Sequence, residues 1–264
     1  MLRALNAAAS GMSAQQANVE NIANNLANAN TNGFKARRAQ FQDLMYQSMV
    51  QPGAAAGQQT TVPAGLQLGL GTRTASNAIN FSMGSLSETN NTLDVAIQGS
   101  GFFQVLMPNG ELAYTRNGSF QLDKNGNLVT SDGNPVQPQI TFPAQAQSIV
   151  IATDGTVSYS MPGQTATQQA GQIQLANFQN PAGLNALGDG LYQPTDASGN
   201  PTLGVPGGPE GVGSLLQGYV EQSNVSVVTE FVNLIVAQRG YEANSKVVQA
   251  ADQMYQDVNN LSRS

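Results

Sequence analysis

The chain has 264 residues and a net charge of −6, and only 10% of its residues are charged, against about 25% in an ordinary globular protein. It contains no His, Cys or Trp, which excludes the usual zinc sites, Ser-His triads and thiol nucleophiles. Its negative charge argues against binding of nucleic acid or anionic membranes. Composition therefore predicts a protein that is not an enzyme and that holds no metal or cofactor.

Residues 1–34 form the first predicted element, an amphipathic helix. Its apolar side chains recur at intervals of seven, which makes a narrow stripe suited to lying along another helix. The stripe residues, predicted to contact other copies of the chain, are Leu5, Met12, Val19, Ile22 and Leu26. Thr31-Asn32-Gly33 predicts the end of the helix, with Gly33 able to adopt a left-handed conformation.

Residues 35–71 are predicted to be a connecting segment and an extended arm. The segment begins with a basic cluster, Lys35, Arg37 and Arg38, expected on a solvated face or paired with carboxylates of a neighbouring copy. From Gln51 to Gly71 the residues are small, polar and nearly uncharged. Such a composition is typical of a flexible linker or of an arm that becomes ordered against neighbours.

Residues 72–222 are predicted to be a β-rich outer domain. Short alternating stretches are separated by dipeptides that favour hairpin turns, so we expect a β-meander. These dipeptides are Asn109-Gly110, Asn117-Gly118, Asn125-Gly126 and Asp132-Gly133.

Two motifs in this domain superficially suggest ligand chemistry. Gly99-Ser100-Gly101 lacks the third glycine of a dinucleotide-binding fingerprint, and we interpret it as a turn before the buried pair Phe102 and Phe103. The segment from Asp123 to Asn127 resembles the start of a calcium loop, but Leu128 and Asn134 replace its diagnostic glycine and glutamate. A hairpin turn is the better interpretation.

Residues 223–264 form the last predicted element, a second amphipathic helix. Asn224 or Ser226 is expected to cap its start, and Gly240 marks either a close helix contact or a tolerated imperfection. Its stripe residues, also predicted at the subunit interface, are Val227, Leu234, Tyr241, Val248 and Tyr255.

Three long blocks of the sequence resemble one known family. The run from Ala23 to Lys35 is similar to the N-terminal signature of bacterial flagellar rod and hook proteins. The run from Asp94 to Phe103, with Tyr114-Thr115-Arg116, resembles their shared β-region, and Gln217 to Glu242 resembles their C-terminal signature. Length and the Gln51–Gly71 stretch resemble the distal rod type.

The resemblance implies a structural role and a set of partners. Such proteins are exported by the flagellar export apparatus without a cleaved signal peptide and polymerise into a helical, rigid tube in the basal body, across the periplasm. The implied partners are other copies of the chain, proximal rod proteins, the hook protein and the P- and L-ring proteins. Nucleic acid is not among them.

The predicted fold is a mainly β central domain flanked by N- and C-terminal α-helices that pair as a coiled-coil-like core on assembly. Neither stripe has an evident partner within the chain, so we expect the helices to be disordered before assembly. Alternatives are a proximal rod or hook subunit of the same family and, from other classes, a secreted β-domain adhesin or a peptidoglycan-cleaving enzyme. The enzyme would need a paired-carboxylate cleft, for which the sequence offers no candidate.

Overall fold

The computed structural model describes residues 2–51, 64–163, 166–208 and 212–261. These residues form two units. The first comprises the described residues within 1–26, 37–78 and 226–264, and the second comprises those within 27–36 and 79–225. The four-part division expected from the sequence stays a prediction.

The first unit is built on two antiparallel helices, α1 (Leu2–Ala27) and α2 (Val227–Leu261). Gly11 lies against Asn244, Gly240 lies against Gln15, and a Cβ on Gly240 would come within 3.2 Å of that glutamine. Gly240 therefore marks a close contact between the helices. The predicted fold class is confirmed.

The helices already contact each other within one chain. This corrects the expectation that their stripes lack an internal partner. The physical reason is that Gly11 and Gly240 carry no side chain, which lets the two helices approach each other closely. The buried residues of the pair are small or slim, which lets the backbones approach, and they include Ala8, Ala14, Ile22, Ala237 and Ala251.

The helix ends differ in how they are capped. Helix α1 ends at Ala27, earlier than expected, and Gly33 lies six positions beyond it in a left-handed conformation with φ +70°. Helix α2 begins after Ser226, whose side-chain oxygen accepts the backbone N–H of Thr229 at 3.4 Å. Ser226 is therefore the capping residue. Asn224 instead accepts the backbone N–H of Ala36 at 2.7 Å.

Two short antiparallel ribbons complete the first unit. Strand β1 (Arg37–Asp43) pairs with β4 (Thr72–Ile79), and β2 (Gln47–Val50) pairs with β3 (Leu66–Leu68). The C-terminal part of the predicted arm, residues 64–71, therefore includes strand β3. Residues 52–63 of the arm lie outside the described residues.

The second unit contains the remaining strands. They are β5 (Leu86–Glu88), β6 (Val95–Gln98), β7 (Phe102–Leu106), β8 (Leu112–Thr115), β9 (Gln121–Leu122), β10 (Leu128–Val129), β11 (Val136–Gln137), β12 (Ser148–Ile151), β13 (Thr156–Ser160), β14 (Gln168–Gln172), β15 (Leu175–Asn177), β16 (Asn185–Gly188), β17 (Leu191–Gln193), β18 (Thr202–Gly204), β19 (Ser214–Gln217) and β20 (Tyr219–Glu221). The largest sheet among the described residues has the order β16-β17-β8-β7-β15-β18, with β11 also pairing with β7.

Smaller sheets surround this one. Strands β12, β13 and β14 form a three-stranded sheet, and β6 pairs with β19, β5 with β20, and β9 with β10. The main core contains the buried side chains Val95, Ile97, Phe103, Val105, Phe120, Leu128, Val136, Ile140, Phe142, Val157, Ile173, Leu175 and Leu215. Phe102 and Phe103 are both buried, as predicted, but on opposite faces of β7 because side chains alternate along a strand.

The predicted hairpin turns are confirmed at three of the four dipeptides. Gly110, Gly126 and Gly133 have φ between +80° and +84°. Gly118 is the exception, because it does not turn a hairpin. A Cβ at this position would overlap the carbonyl oxygen of Val95, so a close approach of two backbones requires the glycine.

The packing of Ala237 provides a test of whether the helices pair in the free subunit. Ala237→Asp places a charge at a position that is 1% exposed, which costs about 3–5 kcal/mol if the pair exists before assembly. We expect lower helicity by circular dichroism and faster proteolysis of both termini. The matched control is Gln238→Asp, on the exposed side of the same turn. Equal helicity of the two variants would show that the free helices are unpaired.

Candidate assembly surfaces

The N-terminal half of α2 carries a second apolar face. Its members are Val228, Phe231, Val232, Ile235 and Val236, and each is between 48% and 75% exposed. Their spacing of i, i+3, i+4, i+7 and i+8 places them on one side of the helix. Helix α2 thus has an inner face toward α1 and an apolar outer face, which is defined by these five residues. The outer face has the character of a helix interface that no other described part of the chain covers.

The ten residues predicted at the subunit interface are placed differently from one another. Ile22 is buried, while Val227 and Tyr241 are exposed. The other seven are half-buried, namely Leu5, Met12, Val19, Leu26, Leu234, Val248 and Tyr255. Their role in contacts between subunits stays a prediction. A strict period of seven does not include the residues of the outer face, whereas the i, i+3, i+4 pattern in Val228–Val236 indicates them.

The ribbon of β2 and β3 presents another apolar surface. Its exposed large side chains are Met45, Tyr46, Met49, Val50, Leu66 and Leu70. The base of the ribbon is fixed, since the Leu44 N–H donates to the Gly71 carbonyl at 2.9 Å and the Thr72 N–H donates to the Ser10 hydroxyl at 3.2 Å. An anchored ribbon with apolar side chains in solvent is a surface suited to contact with another protein.

Asn25 connects three elements of the first unit. Its side chain is buried, its oxygen accepts the Arg37 N–H at 2.8 Å, and its nitrogen donates to the Arg37 carbonyl at 2.8 Å. The same nitrogen donates to the Glu230 carboxylate on α2 at 3.5 Å. This asparagine therefore fixes the start of β1 to the end of α1 and the start of α2. The sequence resemblance included Asn25, but its pattern did not reveal this role.

A buried ionic cluster joins distant parts of the second unit. The Glu221 carboxylate accepts hydrogen bonds from Lys35 Nζ at 2.5 Å and from Arg116 Nε at 2.8 Å. All three side chains are nearly or fully inaccessible to solvent. The N–H of Gly84 donates to the same carboxylate at 2.8 Å, and Lys35 also donates to the Ser82 carbonyl. Lys35 was expected on a solvated face or at a neighbour's carboxylate. That expectation is wrong, because its partner is a carboxylate of the same chain.

The cluster holds Glu221 in its charged form. Burial opposes ionisation, but the charge of Arg116 and the hydrogen bond and charge of Lys35 together outweigh it and hold the pKa of Glu221 below its usual range. Burial lowers the pKa of Lys35, and the hydrogen bond and charge of Glu221 oppose that shift. Buried ions of this kind are tolerated only when each is paired.

The described residues contain no group of three or more acidic, His or Cys side chains placed to hold a metal ion. Within the same ranges, neither helix is apolar enough over a sufficient length to cross a membrane. The surfaces that remain as functional candidates are the outer face of α2, the ribbon of β2 and β3, and the surface of the β-domain.

Three family models match successive parts of the chain. A flagella basal body rod protein model matches residues 5–35, a flagellar hook protein FlgE/F/G D1 domain model matches residues 96–159, and a flagellar basal body rod FlgEFG protein C-terminal model matches residues 216–261. They correspond to α1 and the following turn, to the central strands, and to the end of the β-domain with α2.

Full-length relatives agree with these models. The chain is 49% identical over 265 residues to the flagellar basal-body rod protein FlgG of Borreliella burgdorferi, with all of both chains covered. It is 50% identical over 261 residues to the protein of that name from Caulobacter vibrioides, covering 98% of this chain and 99% of the relative. The chain belongs to the FlgG family of flagellar basal-body rod proteins. This confirms the resemblance, and membership in a rod-protein family confirms the prediction of a structural rather than an enzymatic role.

A FlgG family protein from Buchnera aphidicola subsp. Baizongia pistaciae is 50% identical over 261 residues, covering 99% of this chain and the whole relative. The similarity thus includes both helices and the β-domain together. The adhesin alternative finds no support in these comparisons.

The ionic cluster generates a prediction about stability. Glu221→Gln leaves Lys35 and Arg116 buried without a counter-charge, so we expect the free energy of unfolding to fall by about 3–5 kcal/mol in urea titrations. The matched control is Glu242→Gln, which removes the carboxylate of the exposed pair with Arg239 and should change it by about 0–1 kcal/mol. Similar losses in the two variants would contradict the structural role of the cluster.

The lowered pKa of Glu221 also predicts how stability depends on pH. A carboxyl group with a depressed pKa in the folded state contributes its full stability above its unfolded pKa of about 4.5, and this contribution is lost as the pH falls through the folded value. The unfolding free energy of the wild type should therefore decrease with acidification below about pH 4.5. Glu221→Gln should show a flatter profile, whereas Glu242→Gln should retain the wild-type profile.

Proposed function

We propose that the chain is a structural subunit of the flagellar distal rod. In this function, copies polymerise into the rigid tubular shaft that transmits torque from the motor to the hook. Membership in the FlgG family supports the proposal over a proximal rod or hook subunit, because the named relatives are similar over their full length. The outer face of α2 is the structural observation that carries it.

The outer face needs a partner for physical reasons. Burying a Val, Ile or Phe side chain fully contributes about 1.5–3 kcal/mol, so five half-exposed side chains on one helix face represent a large unused driving force. The regular helical spacing favours another helix as the occupant. A chain with 10% charged residues also repels its own copies only weakly, which permits side-by-side packing.

The two faces of α2 have separate roles in this proposal. The predicted interface residues Leu234, Val248 and Tyr255 stabilise the pairing of α2 with α1. Each subunit then presents one packed pair of helices. The outer face then contacts neighbouring copies. Val227 and Tyr241, which are exposed, remain available for the same contacts.

The family supports a proposal for the location and for further partners. We place the chain in the flagellar basal body, with other copies of itself as the first partner. Proximal rod proteins, the hook protein, the P- and L-ring proteins and the export apparatus are proposed as the other partners. Export without a cleaved signal peptide is part of the same proposal.

A substitution on the outer face tests the proposal. Ile235→Asp puts a charge on a side chain that is 57% exposed, so the thermal unfolding midpoint of the monomer should change little. In a polymer the charge would be buried, and we expect loss of tubes in electron micrographs and in sedimentation assays. Loss of swimming motility should accompany it.

Ile235→Leu is the matched control, because it retains an apolar side chain of equal size. This variant should polymerise at close to the wild-type critical concentration. Tubes formed normally by Ile235→Asp would rule out the outer face as the assembly surface. A failure of the wild-type chain to form tubes under any polymerising condition would argue against the rod assignment itself.

A further inference from the structure

Three segments of the second unit lie next to points where the chain passes from one unit to the other. They are residues 33–36, 80–85 and 221–224, and the chain leaves or enters the second unit after residue 36, before residue 79 and after residue 225. Each segment forms hydrogen bonds with both of the others. We call this set of three segments the junction.

Asn224 connects all three segments of the junction through its side chain. Its Oδ1 accepts the backbone N–H of Ala36 at 2.7 Å, and its Nδ2 donates to the carbonyls of Asn80 and Ser82 at 2.8 and 3.0 Å. The amide group thus uses its acceptor and its donors at the same time. An apolar side chain at this position would leave these backbone groups without their partner.

Glu221 makes a second set of connections in the interior of the junction. Its backbone carbonyl accepts the N–H of Gly33 at 2.7 Å, and its carboxylate accepts hydrogen bonds from the Lys35 ammonium and the N–H of Gly84. Lys35 also donates to the Ser82 carbonyl at 2.8 Å. The side chains of Lys35 and Glu221 are inaccessible to solvent. Pulling the segments apart would therefore separate buried ions, which is strongly unfavourable.

The junction closes a long loop of the chain. Lys35 and Glu221 are 186 positions apart, and α1 precedes the junction while α2 follows it. Tension applied to the two ends of the chain therefore reaches the junction before it reaches any residue of the loop. The resistance of the subunit to tension then depends on how fast the junction opens, since forced unfolding is governed by a rate.

We propose that the junction is a mechanical clamp, which shields the loop from tension that enters the chain through α1 and α2. Because residues 33–36 and 221–224 bind each other, tension passes from one of these segments directly to the other. The inference goes beyond the proposed function, since it concerns a single subunit and does not require assembly. In the proposed assembly copies contact one another through α2, so tension between neighbours would reach the clamp first.

Single-molecule pulling tests the clamp on the free, full-length subunit. The chain has no Cys, so one cysteine added at each end gives unique attachment points. The residues outside 33–224 should extend first, by about 25 nm, and leave an intermediate, since an extended residue spans about 3.4 Å. Opening of the junction should then release the loop of 186 positions, which is about 60 nm long. Release of any part of the loop before this intermediate would overturn the proposal.

Two substitutions weaken the clamp in different ways. Asn224→Ala removes the side-chain hydrogen bonds, and Lys35→Met removes the buried ion pair while retaining a long side chain. Each should shorten the lifetime of the intermediate at constant force at least about five-fold, because the contacts that resist opening are lost. The lifetimes are compared between subunits whose circular dichroism spectra match that of the wild type.

Asn180→Ala is the matched control. It removes a hydrogen bond from the asparagine side chain to the Ala197 carbonyl at 3.0 Å, inside the loop and outside the three segments of the junction. The lifetime of the intermediate should be unchanged, because tension does not reach this contact until the junction has opened. An unchanged lifetime in Asn224→Ala or Lys35→Met, or an equal loss in Asn180→Ala, would refute the clamp. These measurements use monomers, so they leave the rod assignment to the polymerisation experiments.

Discussion

The buried carboxylate of Glu221 is the constraint on which the β-domain depends. It binds Lys35 from a position 186 residues earlier and Arg116 from one 105 residues earlier, and it accepts the backbone N–H of Gly84. Closing such long separations costs chain entropy, which the burial of the surrounding aromatic and aliphatic core offsets. Buried ions are costly unless each is paired, so a fold that separated Glu221 from Lys35 and Arg116 would be destabilised.

The helices were partly predictable from periodicity alone. A repeat of seven correctly indicated two helices, because helical periodicity is a local property of sequence. The same repeat could not indicate that the two helices contact each other, since that depends on residues more than 200 positions apart meeting in space. The spacing of Val228, Phe231, Val232 and Ile235 predicts the outer face of α2. This pattern is hard to separate from the seven-residue repeat that includes Leu234, because the helix is apolar on two sides.

In the β-domain the turns were predictable and the pairings were not. The glycine of an Asn-Gly or Asp-Gly dipeptide favours a positive φ angle locally, and the glycines of three of the four dipeptides have one. The fourth, at Gly118, is a glycine for a non-local reason, the passage of Val95. The partners of Lys35 were likewise hidden, because a lysine near two arginines in the sequence has the composition of a solvated surface. Only the folded chain brings Glu221 to it.

The antiparallel pairing of α1 with α2 has a consequence for the order in which a subunit matures. The first helix of the chain pairs with the last. In a chain that enters the growing structure with its N-terminus first, α1 would therefore stay unpaired until the 35-residue helix α2 has also entered. A prematurely terminated chain would lack both the partner of α1 and the outer face. Such a fragment would lack the surface through which we propose that copies join. In the proposed assembly, the pairing of the first and last helices would therefore favour finished subunits over truncated ones.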